Sequence, residues 1–252
     1  MKDGYSIFDT HTHIGYGLHH GRRTTADELL RAMDAFGVDR SLAIPFPVVE
    51  DHRAAHDEIY HATKAHPDRF IGAACLYPYL PRAQFQDELK RCVEELGFRA
   101  LKLQPQYHAL NPLWPTSEFY FAAALAHKLP IVVHTGSGIP YSLPSLYILP
   151  ARQFPDLQII LGHCGGGGML LAEAIVAATV CPNIYLELSS LMPHNIAEVL
   201  QHVPSHRLMI GSDLPESLTT ELSKIFFMNL SPEVTRDIFW NTAVTVFGET
   251  SG

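Results

Sequence analysis

Two histidines one residue apart, His11 and His13, close the first apolar run of the chain, Ile7-Phe8-Asp9-Thr10-His11-Thr12-His13. Alternate side chains of a strand share a face, so both imidazoles project the same way if the strand persists that far. Two neutral imidazoles projecting together are a ready pair of metal ligands. Other side chains of similar chemistry close later apolar runs. His134 follows Ile131-Val132-Val133, His163 follows Ile159-Ile160-Leu161-Gly162, and Asp213 follows Ile210-Gly211-Ser212. Lys102 and Gln104 stand at the end of another run, Ala100-Leu101-Lys102-Leu103-Gln104. A lone histidine at a strand end is commonly a hydrogen-bonding residue. Four imidazoles and a carboxylate at the ends of four apolar runs ask for a different explanation, because buried polar groups without partners cost free energy.

The elements that must position these groups alternate in type. Short β-branched or apolar runs at residues 6–10, 41–46, 70–76, 100–103, 131–134, 158–162, 184–188 and 208–211 read as strands. Amphipathic segments lie between them. Thr25-Ala26-Asp27-Glu28 has capping-box spacing, and Leu29, Leu30, Met33 and Phe36 follow at helical intervals until Gly37. Phe85, Leu89, Cys92 and Leu96 make a similar stripe ending at Gly97. Residues 51–66, 117–128, 169–180, 192–202 and 218–228 read as further helices, and Ser231 with Pro232 opens a last one running to about Phe247. Strand–helix alternation repeated eight times in a chain of 252 residues predicts an α/β protein, a closed (β/α)8 TIM barrel, as one domain over residues 1–252 with a C-terminal helix. A doubly wound open sheet is the runner-up, but it ordinarily carries a glycine-rich turn where this chain has histidines. In a barrel the chemistry gathers at the C-terminal strand ends, where the histidines and Asp213 fall.

Composition narrows the classes. A single core of this size buries roughly three-quarters of the unfolded surface and needs no staples. The formal net charge is −8, with no Lys/Arg block, which argues against a nucleic-acid partner. The four cysteines, Cys75, Cys92, Cys164 and Cys181, are far apart and read as buried, reduced thiols. No basic-then-apolar leader and no uninterrupted apolar stretch of about 18 residues is present, so no membrane association and a cytoplasmic location are expected. His52 and His56 fall one turn apart on the predicted helix at 51–66, where charged neighbours favour a solvated face over metal binding. Gly165–Gly168 lacks the Gly-Lys-Ser/Thr of a phosphate loop and reads as backbone passing close to the site.

Taken in order, Phe8-Asp9-Thr10-His11-Thr12-His13, Ala100-Leu101-Lys102-Leu103-Gln104-Pro105 and Ile131-Val132-Val133-His134-Thr135-Gly136 resemble the amidohydrolase superfamily, in particular its amidohydrolase-2 branch. Leu161-Gly162-His163-Cys164-Gly165-Gly166, Gly211-Ser212-Asp213-Leu214-Pro215 and Phe239-Trp240-Asn241-Thr242-Ala243 continue the resemblance over nearly the whole chain. It implies a metal-dependent barrel hydrolase that activates water to attack a small amide, lactone or ester carbonyl. In one sub-branch it implies instead a non-oxidative decarboxylase of a small unsaturated or aromatic acid. A catalytically silent metal-binding protein is a third reading, which Asp213 argues against.

With that resemblance, His11, His13 and His134 supply three imidazoles for a divalent metal, with Asp213 a fourth ligand or close neighbour. Such a set suits zinc, and manganese, iron or cobalt could substitute. Asp213 is also the candidate proton shuttle, and His163 would polarise the substrate carbonyl or donate to the developing oxyanion. Lys102, if carboxylated, would bridge two metals, with His134 and His163 on the second; unmodified, it would bind a substrate carboxylate. One ion is favoured over two. Glu187 stands near the end of the seventh predicted strand, with a buried pairing and a catalytic part equally open to it. The expected partner is a small-molecule substrate met by short loops: Tyr107, Trp114 and Tyr141 either line a pocket or pack over the mouth, and His19, His20 and Arg22 sit on a loop that could reach an acidic substrate. A homo-oligomer is favoured for a compact barrel.

Overall fold

All eight expected strands form in the computed structural model, which describes residues 2 and 4–248 of the chain. In chain order the elements are β1 (Phe8–Gly17), β2 (Arg22–Thr24), α1 (Ala26–Phe36), β3 (Arg40–Pro45), α2 (His52–Ala65), β4 (Phe70–Cys75), α3 (Arg82–Glu94), β5 (Ala100–Leu103) and α4 (Glu118–Ala126). They continue with β6 (Ile131–His134), α5 (Ile148–Gln153), β7 (Ile159–Gly162), α6 (Leu171–Val180), β8 (Ile184–Glu187), α7 (Pro193–His202), β9 (Leu208–Met209), α8 (Leu218–Phe227), α9 (Pro232–Arg236) and α10 (Thr242–Phe247). The strands make one curled sheet in the order β2-β1-β3-β4-β5-β6-β7-β8-β9. Every pairing is parallel except that of β2, which folds back antiparallel on the end of β1. No helix among the described residues is long and apolar enough to cross a membrane.

The pleat divides the strand side chains between two cores. Leu42, Ile44, Ile71, Ala73, Ala100, Val132, Ile160 and Met209 form an inner cluster, and their neighbours Ala43, Ala74, Leu101, Leu103, Val133, Leu161, Leu186 and Ile210 form an outer one under the helices. Helix α10 adds Ala243, Val246 and Phe247 to the inner cluster, where Phe8 packs against Trp240 and Phe247 with ring centroids 6.0 Å from each. One end of the interior is thus filled with apolar groups, leaving the other for polar chemistry.

The closed barrel expected from the sequence is not completed: the strands form a curled, TIM-barrel-like sheet with only a stitched seam between β9 and β1. Strands β9 and β1 form no continuous ladder. Thr10 donates through its backbone N to Ile210 O (3.0 Å) and through Oγ1 to the same oxygen (2.7 Å), while Ser212 N and Asp213 N donate to His11 O at 3.2 and 2.6 Å. Strand β9 is only two residues long, because Gly211 and the residues after it turn away toward the mouth.

The helices follow the sequence closely. Thr25 caps α1 with the expected capping box, and Gly37 ends it in the left-handed conformation at φ 73°. Two differences stand out. Helix α5, with Pro150 inside its six residues, shows no readable apolar stripe and was not anticipated. The single C-terminal helix is interrupted by a π turn at Asp237–Asn241 between α9 and α10.

Candidate metal centre

A bulge in β1 aims the first two histidines. Asp9 pairs with Ser41 but Thr12 pairs with Ala43, so β1 carries one extra residue between them. Phe8 points into the interior before the bulge; after it the odd-numbered His11 and His13 do, and Ile14 joins the outer core. Without the extra residue the pleat would send both imidazoles out under the helices. The strand runs on to Gly17, so His13 lies inside it and the region expected to be a loop after residue 13 is largely a hairpin.

Two glycines make room. A Cβ on Gly211 would lie 2.6 Å from Glu187 Oε1 and 2.8 Å from His11 Cβ; one on Gly162 would lie 2.9 Å from Val133 O and 3.2 Å from His11 Cε1. Asp9 holds the opposite side of the seam. It accepts hydrogen bonds from Ser212 Oγ (2.6 Å) and Ser212 N (2.9 Å), fixing the residue beside Asp213. Asp213 itself is held at φ 65° and His163 at φ 63°, uncommon for residues with a Cβ. Gly136 and Gly166 confirm the close passage of backbone expected near the site: a Cβ on Gly136 would lie 2.5 Å from Gly166 Cα.

Hydrogen bonds fix the tautomers. His11 Nδ1 donates to Glu187 Oε2 (3.0 Å) and His13 Nδ1 donates to Pro45 O (3.2 Å). His163 Nδ1 donates to Ser189 Oγ (2.7 Å), whose hydroxyl donates on to Glu187 Oε2 (2.9 Å). All three rings therefore present a lone pair at Nε2. These face a single atom: Asp213 Oδ1 lies 3.5 Å from His13 Nε2, 3.6 Å from His11 Nε2 and 4.0 Å from His163 Nε2. Acceptors facing an acceptor repel unless a cation or protons lie among them. Such a cation is already present in part, because the Lys102 ammonium donates to His11 Nε2 at 2.7 Å.

The electrostatics agree. Burial, helped by Lys102, pushes His11 down to about 3, and burial with His163 nearby pushes His134 down to about 2. Burial likewise lowers His163, so these imidazoles stay neutral and able to ligate. Burial alone would raise Glu187 and Asp213. Hydrogen bonds and nearby imidazoles outweigh it, holding Glu187 near about 2 and Asp213 well below the usual carboxylate range. Burial lowers Lys102 to about 8 against the pull of Asp213. Asp9 goes the other way, raised by burial to about 7 despite its bonds from Ser212.

The structure thus gathers His11, His13, His163, Lys102 and Asp213. His11, His13 and Asp213 place one ligand atom each within 4.8 Å of one another, as do His11, His163 and Glu187. His134 borders this group, its ring 4.8 Å from that of His163, but its Nε2 donates to Ser137 O (3.0 Å) and it is outside both donor sets. Glu187, Ser189 and Asp9 carry weight that the sequence did not assign them. The signal for Glu187 was its inward parity with Tyr185 on β8.

A third buried donor group, His56, Glu88 and Cys92, lies between α2 and α3. The solvated face expected at residues 52 and 56 is wrong for His56, which is fully buried. All four cysteines are buried and free of disulfides. A groove of about 1090 Å³ runs beside the mouth, bordered by Tyr16, His52, Arg53 and Glu58. At its edge Arg53 pairs with Glu88 and Glu58 with Arg23. Arg22 is likewise committed, to Glu216 at 2.6 Å.

Residues 8–248 match the sequence profile described as amidohydrolase. The chain belongs to the amidohydrolase family. No curated protein sequence matches it significantly. Among solved structures it is similar to 5-carboxyvanillate decarboxylase of Novosphingobium aromaticivorans, crystallised with manganese and 4-hydroxy-3-methoxy-5-nitrobenzoic acid, at 17% identity and TM-score 0.77, covering 98% of this chain and 97% of that one. It is also similar to 4-oxalomesaconate hydratase of Rhodopseudomonas palustris (19%, TM-score 0.73, 96% and 95% covered). A third neighbour is 2,6-dihydroxybenzoate decarboxylase of Rhizobium (16%, TM-score 0.75, 96% and 98% covered). At these identities the likeness is one of fold.

Proposed function

We propose that this amidohydrolase-family chain is a metal-dependent hydrolase acting on a small amide, lactone or ester. The observation that carries the reading is the convergence of three imidazole lone pairs on Asp213 Oδ1, one of them also accepting from the Lys102 ammonium, a donor set that fits a divalent cation. His11, His13 and Asp213 would hold one ion, with His134 at the margin. Zinc suits nitrogen and carboxylate donors, and the manganese named for the decarboxylase neighbour makes that metal the alternative. Bound there, the ion would supply Lewis acidity and a water acidified to a pKa of about 7 in the zinc case.

The protein's own groups do the rest. Asp213, ionised at neutral pH, accepts the proton of the attacking water and returns it to the leaving nitrogen or oxygen. His163 Nε2 can take up a proton whose charge is spread through Ser189 to Glu187, and then donate to the developing oxyanion. Lys102, as an unmodified ammonium, can turn from His11 to meet a substrate carboxylate. The buried, imidazole-rich interior with its lysine also favours a second reading, decarboxylation of a small acid, which the two decarboxylase neighbours support.

Turnover of a substrate panel in ¹⁸O-labelled water, with and without chelator, tests the two together. Label in the product and loss of turnover on chelation are expected. Release of CO2 without label would replace hydrolysis by decarboxylation. Turnover that survives exhaustive chelation would defeat both.

A further inference from the structure

Above Lys102 the barrel interior holds a polar side chain that the centre leaves unused. Ala100 belongs to the inner core and Lys102 reaches His11, and continuing that alternation one residue past the end of β5 sets Gln104 on the same inner face. Gln104 is only 6% exposed, and its buried carboxamide Oε1 has no hydrogen-bond partner among the described residues.

Its backbone, in contrast, is clasped on both sides. Gln104 N donates to His108 Nδ1 (3.4 Å), and His108 N donates back to Gln104 O (2.9 Å). His108 Nε2 donates to Pro47 O (3.1 Å), just beyond β3. Both ring nitrogens of His108 are therefore spent on holding the turn after β5 against the β3 end. The residue is fixed while the head of its side chain is left without a protein partner. A buried acceptor left unmade is costly, and such groups call for an explanation in function.

We infer that Gln104 is a substrate-recognition residue whose carboxamide accepts a hydrogen bond from an O–H or N–H of the substrate. The preferred ligand then carries a hydrogen-bond donor beside the group that faces Lys102 and the metal centre. This rests on the barrel mouth being the active site, and it is independent of which bond is broken there.

The test compares Gln104→Leu and Gln104→Met with the natural protein, each loaded with zinc or manganese. Removing the orphaned acceptor raises Tm by about 2–4 °C, the shift expected when one such penalty is relieved in a chain of this size. Binding is then measured calorimetrically for butanoate against 4-hydroxybutanoate and for benzoate against 3-hydroxybenzoate. In the natural protein at least one hydroxylated acid binds about tenfold tighter than its parent, the value of one well-placed hydrogen bond, and both variants lose that preference. A fall in Tm for both variants means that the amide is satisfied within the protein and overturns the assignment. So does a hydroxyl preference that is missing from the natural protein or survives in the variants. Because the readout is binding, a failed hydrolase reading shows itself separately, as absent water label.

Discussion

Two clusters in this molecule set buried histidine beside carboxylate and differ in what their lone pairs face. At the mouth, His11, His13 and His163 each spend Nδ1 on a fixed acceptor and turn Nε2 toward Asp213, that of His11 also accepting from the Lys102 ammonium. Between α2 and α3, His56 spends both nitrogens: Nδ1 donates to Glu88 Oε1 (2.8 Å), and Nε2 accepts from Cys75 N (3.0 Å). Glu88 is answered by charge on every side. Arg91 donates to it twice, at 2.9 and 2.7 Å, and Arg53 once, at 3.1 Å. The outer cluster is saturated and acts as a strut joining α2, α3 and β4. At the mouth imidazole nitrogens face a carboxylate acceptor to acceptor, where the outer cluster sets arginines on its glutamate. Histidine beside a carboxylate is thus left facing it in one place and tied into a brace in the other.

The sharpest way to break this contrast is Asp213→Asn. Removing the shared carboxylate charge should cost a factor of about 10²–10⁴ in turnover and lower bound metal, measured by kinetics and elemental analysis. If the brace held metal as well, about half of the bound metal would remain in the variant. Conversely, Glu88→Ala strips a buried arginine and a buried histidine of their acceptor. It should lower unfolding free energy by about 3–5 kcal/mol in urea melts while leaving metal content unchanged.

Glu187→Gln sits between the two. It keeps an oxygen near His11 but loses the charge that fixes its tautomer, so metal affinity should weaken about 10–100-fold in competition titrations.

The smallest effect is in pH. His11 and His134 titrate lower in the folded chain, near about 3 and about 2, than the usual 6.5. As pH falls below 6.5 the unfolded chain takes up protons that the folded chain refuses, so metal-free stability declines. Glu88 and Glu187, both depressed to about 2 from 4.5, contribute stability that is lost only below 4.5. Between pH 6.5 and 4.5 the imidazoles therefore lower the urea midpoint of metal-free protein while Asp9, raised to about 7, opposes them, and His11→Gln should make the midpoint fall less with pH.

Much of the centre was legible because each of its groups ends an apolar run, and strand ends of an α/β sheet collect on one rim. What escaped did so for local reasons. The extra residue in β1 leaves no mark in Phe8-Asp9-Thr10-His11, because a bulge changes parity without changing composition. Glu187 lies within Ile184-Tyr185-Leu186-Glu187, where a lone carboxylate reads equally as a buried pairing. His56 departs from the expectation because the exposed side chains of Arg53 and Asp57 also reach Glu88 and Arg91 of the brace while the imidazole is buried. The break in the C-terminal helix follows a sequence that is helical throughout, so only tertiary packing reveals it.

The stitched seam carries a kinetic meaning. Thr10 and Ile210 meet across 200 residues of chain, and Asp9 and Ser212 across 203, through isolated hydrogen bonds where the other parallel strands share ladders. Contacts so distant in sequence are the slowest to form, and with so little holding them they are the cheapest to part. The donor set straddles this line, His11 and His13 on one bank and Asp213 on the other. The amides of Thr10, Ser212 and Asp213 should accordingly exchange with solvent before those of the central strands. Any ligand that joins the two banks acts as the clasp of the whole ring.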